Sequence, residues 1–278
     1  MNSSWILTMI YGLISGLTEI LPVSSQAHRM LILKLLGENQ QSELLTLLID
    51  LGVLAALYMG CQTNIVRIMR ARRLAQIPKS RRKRPLDTKS LMDFRMLRTM
   101  LVPVVIVFFF YQKLNNLVSS MLVVALLLLL NGVILYIPQF LPGSNRDSRT
   151  LSRIQGFLVG LGGSLSVIPG LSGVGAAMSV GSVCGMDRTY ALNMTLMMDI
   201  AVSVGFVIFD FLALVSSGVG VFGFGILISY ILAALAAFGA ATLGIKVMRM
   251  LAPNIGYSLF AYYCWGLAMF TFILNLLA

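Results

Sequence analysis

Charged side chains are scarce in this chain and make up only 11% of its residues, whereas 58% of the residues are hydrophobic. A soluble domain usually has about a quarter charged residues and about 45–50% apolar ones. The shortage of charge therefore excludes an ordinary soluble domain and predicts a polytopic membrane protein. The apolar runs Leu117–Ile137, Ala191–Val215 and Phe222–Ile245 are long enough for this, since crossing the hydrocarbon core takes roughly 20 residues.

Cysteine and histidine are also sparse, with three and one residues respectively. Cys61, Cys184 and Cys264 stand alone in apolar segments, which excludes CxxC-type metal spacing and predicts small buried side chains. The single histidine, His28, stands near other polar residues in an apolar segment. The N-terminal segment has neither a basic leader nor an obvious small-residue cleavage site, so we expect it to belong to the mature fold.

Acidic residues are also few: the chain has 10 Asp and Glu residues and 21 Lys and Arg residues, which gives a net charge of +11. Twelve of the basic residues lie between Arg67 and Arg98. A nucleic-acid patch could explain such a cluster, but we favour a basic cytoplasmic loop over 65–98 that obeys the positive-inside rule. No nucleic-acid partner is then expected, and the loop would attract anionic membrane lipids.

Placing this basic loop in the cytoplasm fixes the direction of the other segments and puts the Gly37–Glu43 loop outside. Six full spans are predicted, at about 42–61, 99–111, 117–137, 190–215, 221–248 and 255–277. Two further segments, 4–36 and 154–185, are broken near Pro22 and Pro169 and are predicted to be re-entrant helical hairpins. One kinked span is an alternative for the first of them.

Each half of the chain thus contains one broken hairpin and three spans, and the two halves have opposite orientation. Matching breaks in both halves are typical of transporters, in which discontinuous helices meet near the membrane midplane. The predicted fold is all-α: a polytopic integral membrane protein with about six full spans plus two re-entrant helical hairpins in inverted-topology repeats. A single membrane domain covers residues 1–278, with the first repeat at 1–141 and the second at 150–278.

The first break places Glu19, Ser24, Ser25 and His28 around a helix-breaking proline. Polar groups at membrane depth survive only inside protein or beside water, and ionisable ones there are functional candidates by default. Ser25, Glu19 and His28 supply the residue types that hydrolysis requires, namely a nucleophile or activated water and a proton source for the leaving group.

The second break has the composition of an anion cradle. Pro169-Gly170 is followed by Ser172, Gly173 and Gly175, where backbone N–H groups at a helix N-terminus favour an anion. The two serines of the first break could act in the same way. Two such cradles facing each other would suit a phosphate or a diphosphate.

Each of these residue types also has a purely structural interpretation. A lone histidine is often an interior hydrogen-bond donor, serines before a helix are often caps, and glycines often only allow close helix packing. Three aspartates lie in apolar segments. We expect Asp50 and Asp199 in a polar interior and Asp210 near the outer interface.

These motifs resemble a known family. The stretch Gly16–Ser25 with His28, and the stretch Ile168–Ser172, are similar to signatures of the undecaprenyl-diphosphate phosphatases of the bacitracin-resistance type. The resemblance implies a hydrolase that removes the terminal phosphate from the C55 polyprenyl diphosphate carrier of peptidoglycan synthesis. It also implies a multi-pass protein of the bacterial inner membrane, a site that opens outward, and an assisting divalent cation, Mg²⁺ or Ca²⁺.

The resemblance assigns roles by position. Glu19 matches an acid that holds the metal or acts as base, Ser25 matches the nucleophile or diphosphate contact, and His28 matches the catalytic histidine. Ser24 and Ser172 match further polar positions of the two motifs.

The sequence departs from the family pattern at two positions that bear on charge. Ser15 stands where the family has a glutamate or glutamine, and Gly173 stands where it has an arginine. A guanidinium gives a diphosphate bidentate, charge-assisted bonds that glycine cannot give. Arg29 and Arg188 are candidates for the missing positive charge in substrate binding, although Arg29 could face lipid headgroups instead.

The leading hypothesis is therefore an undecaprenyl-diphosphate phosphatase. A non-hydrolytic polyprenyl-phosphate carrier or flippase is the alternative, favoured by the predicted repeats and the missing arginine. A lipid-binding scaffold without turnover is a third interpretation. The sequence leaves a homodimer open.

Overall fold

The computed structural model describes residues 5–38, 42–82, 84–116, 118, 120–218, 223–253 and 256–277. Over these residues the chain forms eleven α-helices and no β-strand. The helices are α1 (Trp5–Ile20), α2 (Ser25–Leu35), α3 (Glu43–Gln76), α4 (Thr88–Phe108), α5 (Tyr111–Asn116), α6 (Met121–Tyr136), α7 (Arg153–Ser164), α8 (Gly173–Val183), α9 (Arg188–Ser217), α10 (Phe224–Leu251) and α11 (Ser258–Leu277). Short 3-10 turns lie at Lys79–Arg81, Ile137–Phe140 and Leu165–Val167. The all-α prediction is confirmed.

Five of the described helices are long and apolar enough to cross a membrane: α3, α6 with its following 3-10 turn, α9, α10 and α11. They match five of the six predicted spans. The sixth, predicted at 99–111, corresponds to the second half of α4, which ends at Phe108. The first half of α4 is polar and carries Lys89, Asp93, Arg95 and Arg98. The polytopic membrane fold is confirmed, whereas the number of crossings stays a prediction.

The predicted basic loop is largely helical, which corrects the expectation from sequence. Helix α3 continues to Gln76 and α4 begins at Thr88, so only residues 77–87 connect them. Arginine is a good helix former, so a basic stretch can extend a spanning helix beyond the membrane. Residues 39–41 of the predicted outer loop and Lys83 of the basic stretch lie outside the described residues.

Both proline-containing segments are broken helices. Helix α1 ends at Ile20 and α2 begins at Ser25, with Ser24 at φ 64° between them. In the second segment, Gly170 adopts φ 102°, a conformation that favours glycine because it has no Cβ. The helices on either side have 11 to 16 residues, fewer than a full crossing requires. Their assignment as re-entrant hairpins stays a prediction.

The helices of the two halves exchange partners. Helix α1 packs on α10 and α7 packs on α4, while α3 pairs with α9 and α6 with α11. Glycine permits the first two contacts, because a Cβ on Gly16 would lie 2.2 Å from the Ala237 carbonyl oxygen and one on Gly160 would lie 2.0 Å from that of Met100. This is the packing expected of two repeats related by a two-fold axis. The repeat boundaries at 141 and 150 stay predictions.

The outer surface is apolar and the interior holds the cysteines. Trp5, Ile10 and Leu13 on α1 are about half exposed, as lipid-facing side chains are. The three cysteines are free and buried, which confirms their prediction as small interior side chains.

Candidate active site

The two broken segments are joined by Asn131, a fully buried residue of α6. Its Nδ2 donates a hydrogen bond to the Pro22 carbonyl oxygen at 3.2 Å, and its Oδ1 accepts one from the Ser172 backbone N–H at 2.9 Å. A second link joins the segments directly, since the Gly170 N–H donates to Ser24 Oγ at 3.1 Å. The two segments therefore lie against each other in the interior of the bundle.

Sequence reasoning missed Asn131. The only signal available was an amide inside the apolar run of α6, flanked by Leu130 and Gly132. A polar side chain there satisfies backbone groups that a helix break leaves unpaired in an apolar medium.

A small polar cavity lies where the segments meet. It has a volume of about 10 Å³, which is the space that one water molecule requires. Glu19, Gln26 and Asp199 line it together with four serines, Ser24, Ser25, Ser166 and Ser172, and with Leu171, Gly173 and Val174. The Ser25 hydroxyl donates a hydrogen bond to the Glu19 carboxylate. We call this space the inner cavity.

A larger cavity of about 180 Å³ adjoins the inner one, because Glu19 and Gln26 line both. We call it the outer cavity. Arg29 lies in its wall and forms a two-bond ion pair with Asp50. Asp210 also lines this cavity and is buried. Further lining residues are Tyr11, Met30, Thr46, Tyr111, Asn115, Pro169 and Phe206.

Arg29 thus faces the interior rather than lipid headgroups, with 13% of its side chain exposed. Its buried partner Asp50 explains this, since a carboxylate at depth requires a cation beside it. Arg188, the other candidate for the missing charge, lies at the start of α9 and lines neither cavity.

His28 does not reach the Glu19–Ser25 pair. Its Nδ1 lies 2.8 Å from the Ser24 carbonyl oxygen and its Nε2 lies 2.7 Å from the Tyr263 hydroxyl, and its ring stacks parallel to that of Tyr263. Because a carbonyl only accepts, Nδ1 carries the proton and Nε2 accepts from the tyrosine. His28 lines neither cavity, whereas Ser25, Gln26 and Arg29 of the same helix each line at least one of them.

The predicted anion cradle is partly occupied by protein contacts. The N–H groups of Gly170 and Ser172 already bond to Ser24 and Asn131, and that of Gly175 bonds to Ser172 Oγ at 3.2 Å. These three N–H groups are therefore engaged in holding the fold, and the assignment of Gly170, Ser172 and Gly175 to substrate binding stays a prediction. The N-terminus of α8 faces the inner cavity at Gly173.

Gly173 is packed against backbone. A Cβ at this position would lie 2.3 Å from the Gly163 carbonyl oxygen and 2.7 Å from Ser166 Cβ. Any side chain at 173, including the arginine of the resembling family, would require α7 to move away from α8.

Comparison with known proteins shows the family of the chain. The family model for the bacitracin resistance protein BacA matches residues 8–270. The chain belongs to the BacA family. A curated relative from Methanobrevibacter smithii, named undecaprenyl-diphosphatase, is 28% identical and the match covers 95% of each chain. Relatives of the same name from Carboxydothermus hydrogenoformans (25% identity, 96% of each chain) and Chromohalobacter salexigens (28%, 93% of this chain and 94% of the relative) are similar over a comparable span.

In this BacA-family chain the two cavities are lined by more acidic than basic side chains. Glu19, Asp50, Asp199 and Asp210 line them against one cation, Arg29, and no other Lys, Arg or His among the described residues does so. No three His, Cys, Asp or Glu side chains cluster into a metal site over the same part of the chain. The set nevertheless offers what hard cations prefer, namely carboxylate and hydroxyl oxygens.

Proposed function

We propose that this protein hydrolyses undecaprenyl diphosphate to the monophosphate and inorganic phosphate, which returns the lipid carrier to cell-wall synthesis. Family membership and the shared name of the curated relatives support this activity. The observation that carries it is the contact between Ser25 and Glu19, a hydroxyl and a carboxylate paired beside a polar cavity within an apolar bundle.

The Ser25–Glu19 pair has the arrangement of an activated nucleophile, in which a hydroxyl donates to a base. In the proposed reaction, Ser25 Oγ bonds to the terminal phosphorus, the bridging P–O bond breaks, and polyprenyl monophosphate leaves. The hydroxyl proton passes to Glu19. Water then attacks the phosphoserine, inorganic phosphate is released, and Glu19 returns the proton to Ser25.

Arg29 is proposed as the cation that holds the diphosphate in the outer cavity. Arg29 and Glu19 both line the outer cavity, and Glu19 also lines the inner one. The Arg29 guanidinium is already oriented by its bonds to Asp50. A guanidinium can bond two phosphate oxygens at once, and Gly173 leaves the chain without the arginine of the family motif.

A divalent cation, Mg²⁺ or Ca²⁺, is proposed as cofactor because its charge would offset the acidic side chains of the cavities and the anionic substrate. A diphosphate is an anion, and the cavities hold four carboxylates against one arginine. Glu19 would hold the cation together with hydroxyl oxygens of Ser25 and Ser172. When bound, it would neutralise substrate charge and act as a Lewis acid at the phosphoryl oxygens.

His28 is proposed to act as a positioning residue in this arrangement. Its bond to the Ser24 carbonyl fixes the backbone immediately before Ser25, and Tyr263 holds the imidazole from the other side. In this scheme Glu19 and water, rather than His28, carry out the proton transfers.

The outer cavity is proposed to open on the external face of the bacterial inner membrane. Thr46 and Asp50 of α3 line the cavity, whereas Arg67, Arg70 and Arg73 lie near the other end of the same helix. The 21 positions from Thr46 to Arg67 rise about 32 Å, which is close to the thickness of the hydrocarbon core. The positive-inside rule places the basic end in the cytoplasm.

The test is phosphate release from C55 diphosphate by the purified full chain, with Mg²⁺, with Ca²⁺ and with EDTA. Glu19→Gln and Ser25→Ala are each expected to lower the rate at least ~100-fold, the scale of a lost general base or nucleophile. Glu43→Gln serves as the matched control, because Glu43 starts α3 and lines neither cavity. Polyprenyl phosphate crossing liposome membranes without phosphate release would overturn the proposal in favour of a carrier.

A further inference from the structure

Asp199 lies in the middle of the apolar helix α9 and has 3% of its surface exposed. Its Oδ2 is buried and has no hydrogen-bond partner among the described residues. A buried carboxylate is normally paired with a cation or bound to a metal, because its isolated charge is very costly in an apolar medium. No lysine, arginine or histidine of the described chain shares the inner cavity with it.

The surroundings of Asp199 are rich in oxygen. Glu19, Ser25, Ser166 and Ser172 line the same cavity, and the buried Ser166 Oγ also lacks a partner in the described part of the chain. Carboxylate and hydroxyl oxygens around a space for one small particle form the donor set of a hard cation. Two acidic residues from different helices, Glu19 of α1 and Asp199 of α9, therefore line one small cavity.

We propose that Asp199 is the second carboxylate ligand of the divalent cation, and that it takes the place of the acid missing at Ser15. This rests on the proposed function, in which Glu19 is the first ligand. Ser15 stands one helical turn before Glu19 on α1, and its buried hydroxyl cannot supply the missing charge. Asp199 supplies the charge from α9, so the acid pair is assembled from two distant segments of the chain.

The test measures cation binding directly, in the absence of substrate. Ca²⁺ is titrated calorimetrically into the purified full chain, and the Ca²⁺-dependent rise in Tm is recorded in parallel. Asp199→Asn, which keeps the shape of the side chain, is expected to weaken Ca²⁺ binding at least tenfold and to abolish most of the rise in Tm. Without Ca²⁺, this variant should unfold at a higher temperature than wild type, because it removes a buried uncompensated charge.

Asp210→Asn is the matched control. Asp210 is a second buried aspartate on α9 whose Oδ2 has no partner among the described residues, but it lines only the outer cavity and not the inner one. The Ca²⁺ affinity of Asp210→Asn should equal that of wild type. Unchanged Ca²⁺ affinity in Asp199→Asn would overturn the inference, and so would an equal loss in both variants. If Asp199 is neutral and serves only as a hydrogen-bond donor, the Ca²⁺ affinity of Asp199→Asn will be unchanged.

The outcomes separate this inference from the proposed function. If wild type binds Ca²⁺ through Asp199 but releases no phosphate from C55 diphosphate, the cation site stands and the phosphatase assignment fails. If wild type releases phosphate and Asp199→Asn binds Ca²⁺ normally, the assignment stands and the role of Asp199 fails.

Discussion

The Ser172 backbone N–H donates a hydrogen bond to the side-chain oxygen of Asn131 at 2.9 Å. The amide nitrogen of the same side chain donates to the first broken segment, at the Pro22 carbonyl. One amide thus satisfies a backbone donor and a backbone acceptor, each released by a helix break. In an apolar medium an unsatisfied polar group of this kind costs about 1–3 kcal/mol.

Asn131→Leu is therefore expected to destabilise the protein by about 2–5 kcal/mol, since the Ser172 N–H loses its partner and the Pro22 carbonyl keeps only a weak contact with Cys264 Sγ at 3.8 Å. Thermal unfolding in detergent measures the loss, and phosphate release should fall because the inner cavity loses its shape. The control is Asn193→Leu on α9, where the amide donates to the Thr189 carbonyl of its own helix and to no other group among the described residues. Equal Tm values for the two variants would contradict the role of Asn131.

Restoring the family arginine should impair this protein. Gly173→Arg is expected to lower the free energy of unfolding by about 1–3 kcal/mol or more, because the Cβ alone meets the Gly163 carbonyl. Gly173→Ala should show the same direction, which separates sterics from charge. Gly266→Ala is the control, since a Cβ there has open space around it. A faster Gly173→Arg enzyme of normal stability would refute this.

His28 and Tyr263 are expected to behave as one unit. His28→Gln and Tyr263→Phe should each lower phosphate release by about tenfold, and the double variant should be no worse than the more impaired single variant. If His28 only positions other groups, His28→Gln should keep the pH–rate profile of wild type. If His28 transfers a proton in the reaction, the variant should lose one limb of that profile. Loss of that limb would contradict the positioning role and would assign proton transfer to His28.

Arg29 should be sensitive even to the closest substitution. Arg29→Lys keeps the charge but loses the two-bond geometry with Asp50, so we expect KM to rise about tenfold with a smaller change in kcat. Lys34→Arg, at the exposed end of α2, is the matched control. A fall in kcat alone would argue that Arg29 acts on the transition state rather than in binding.

Asp147 gives a pH-dependent contribution to stability outside the spanning helices. Hydrogen bonds from Arg149 lower the pKa of this carboxyl from its usual 3.8 to about 2. Because the folded pKa lies below the unfolded one, the contribution is complete above pH ~4 and disappears as the pH falls toward 2. Asp147→Asn should lower the free energy of unfolding at pH 7 by less than ~1 kcal/mol, which thermal unfolding would show as a slightly lower Tm. Near pH 2 the Tm of the variant should match that of wild type.

Much of the fold could be predicted because composition and helix breakers act locally. The apolar runs indicated five of the described spans, and Pro22 and Pro169 marked both broken segments. The closeness of Glu19 and Ser25 also follows from their positions on either side of one short break. The helical extension of α3 was missed because the positive charge of residues 65–98 was interpreted as a loop.

The remaining features depend on contacts between distant parts of the chain. Tyr263 bonds to the His28 ring, Asn131 links the two breaks, and Asp199 lines the inner cavity together with Glu19. In each case the sequence shows only a polar residue in an apolar run. Which partner it meets is decided by helix packing, and periodicity within one helix does not contain that information.

The packing of α1 against α10 also has a consequence for biosynthesis. Gly12 and Gly16 abut the backbone at Ala233 and Ala237, so the helix that carries Glu19 packs against a segment that is synthesised about 220 residues later. At usual rates of translation that interval is roughly 10–40 s. During it α1 lacks this packing partner, and the Glu19 side chain must be sheltered by the insertion machinery or by the early helices α2 and α3, which also pack on α1.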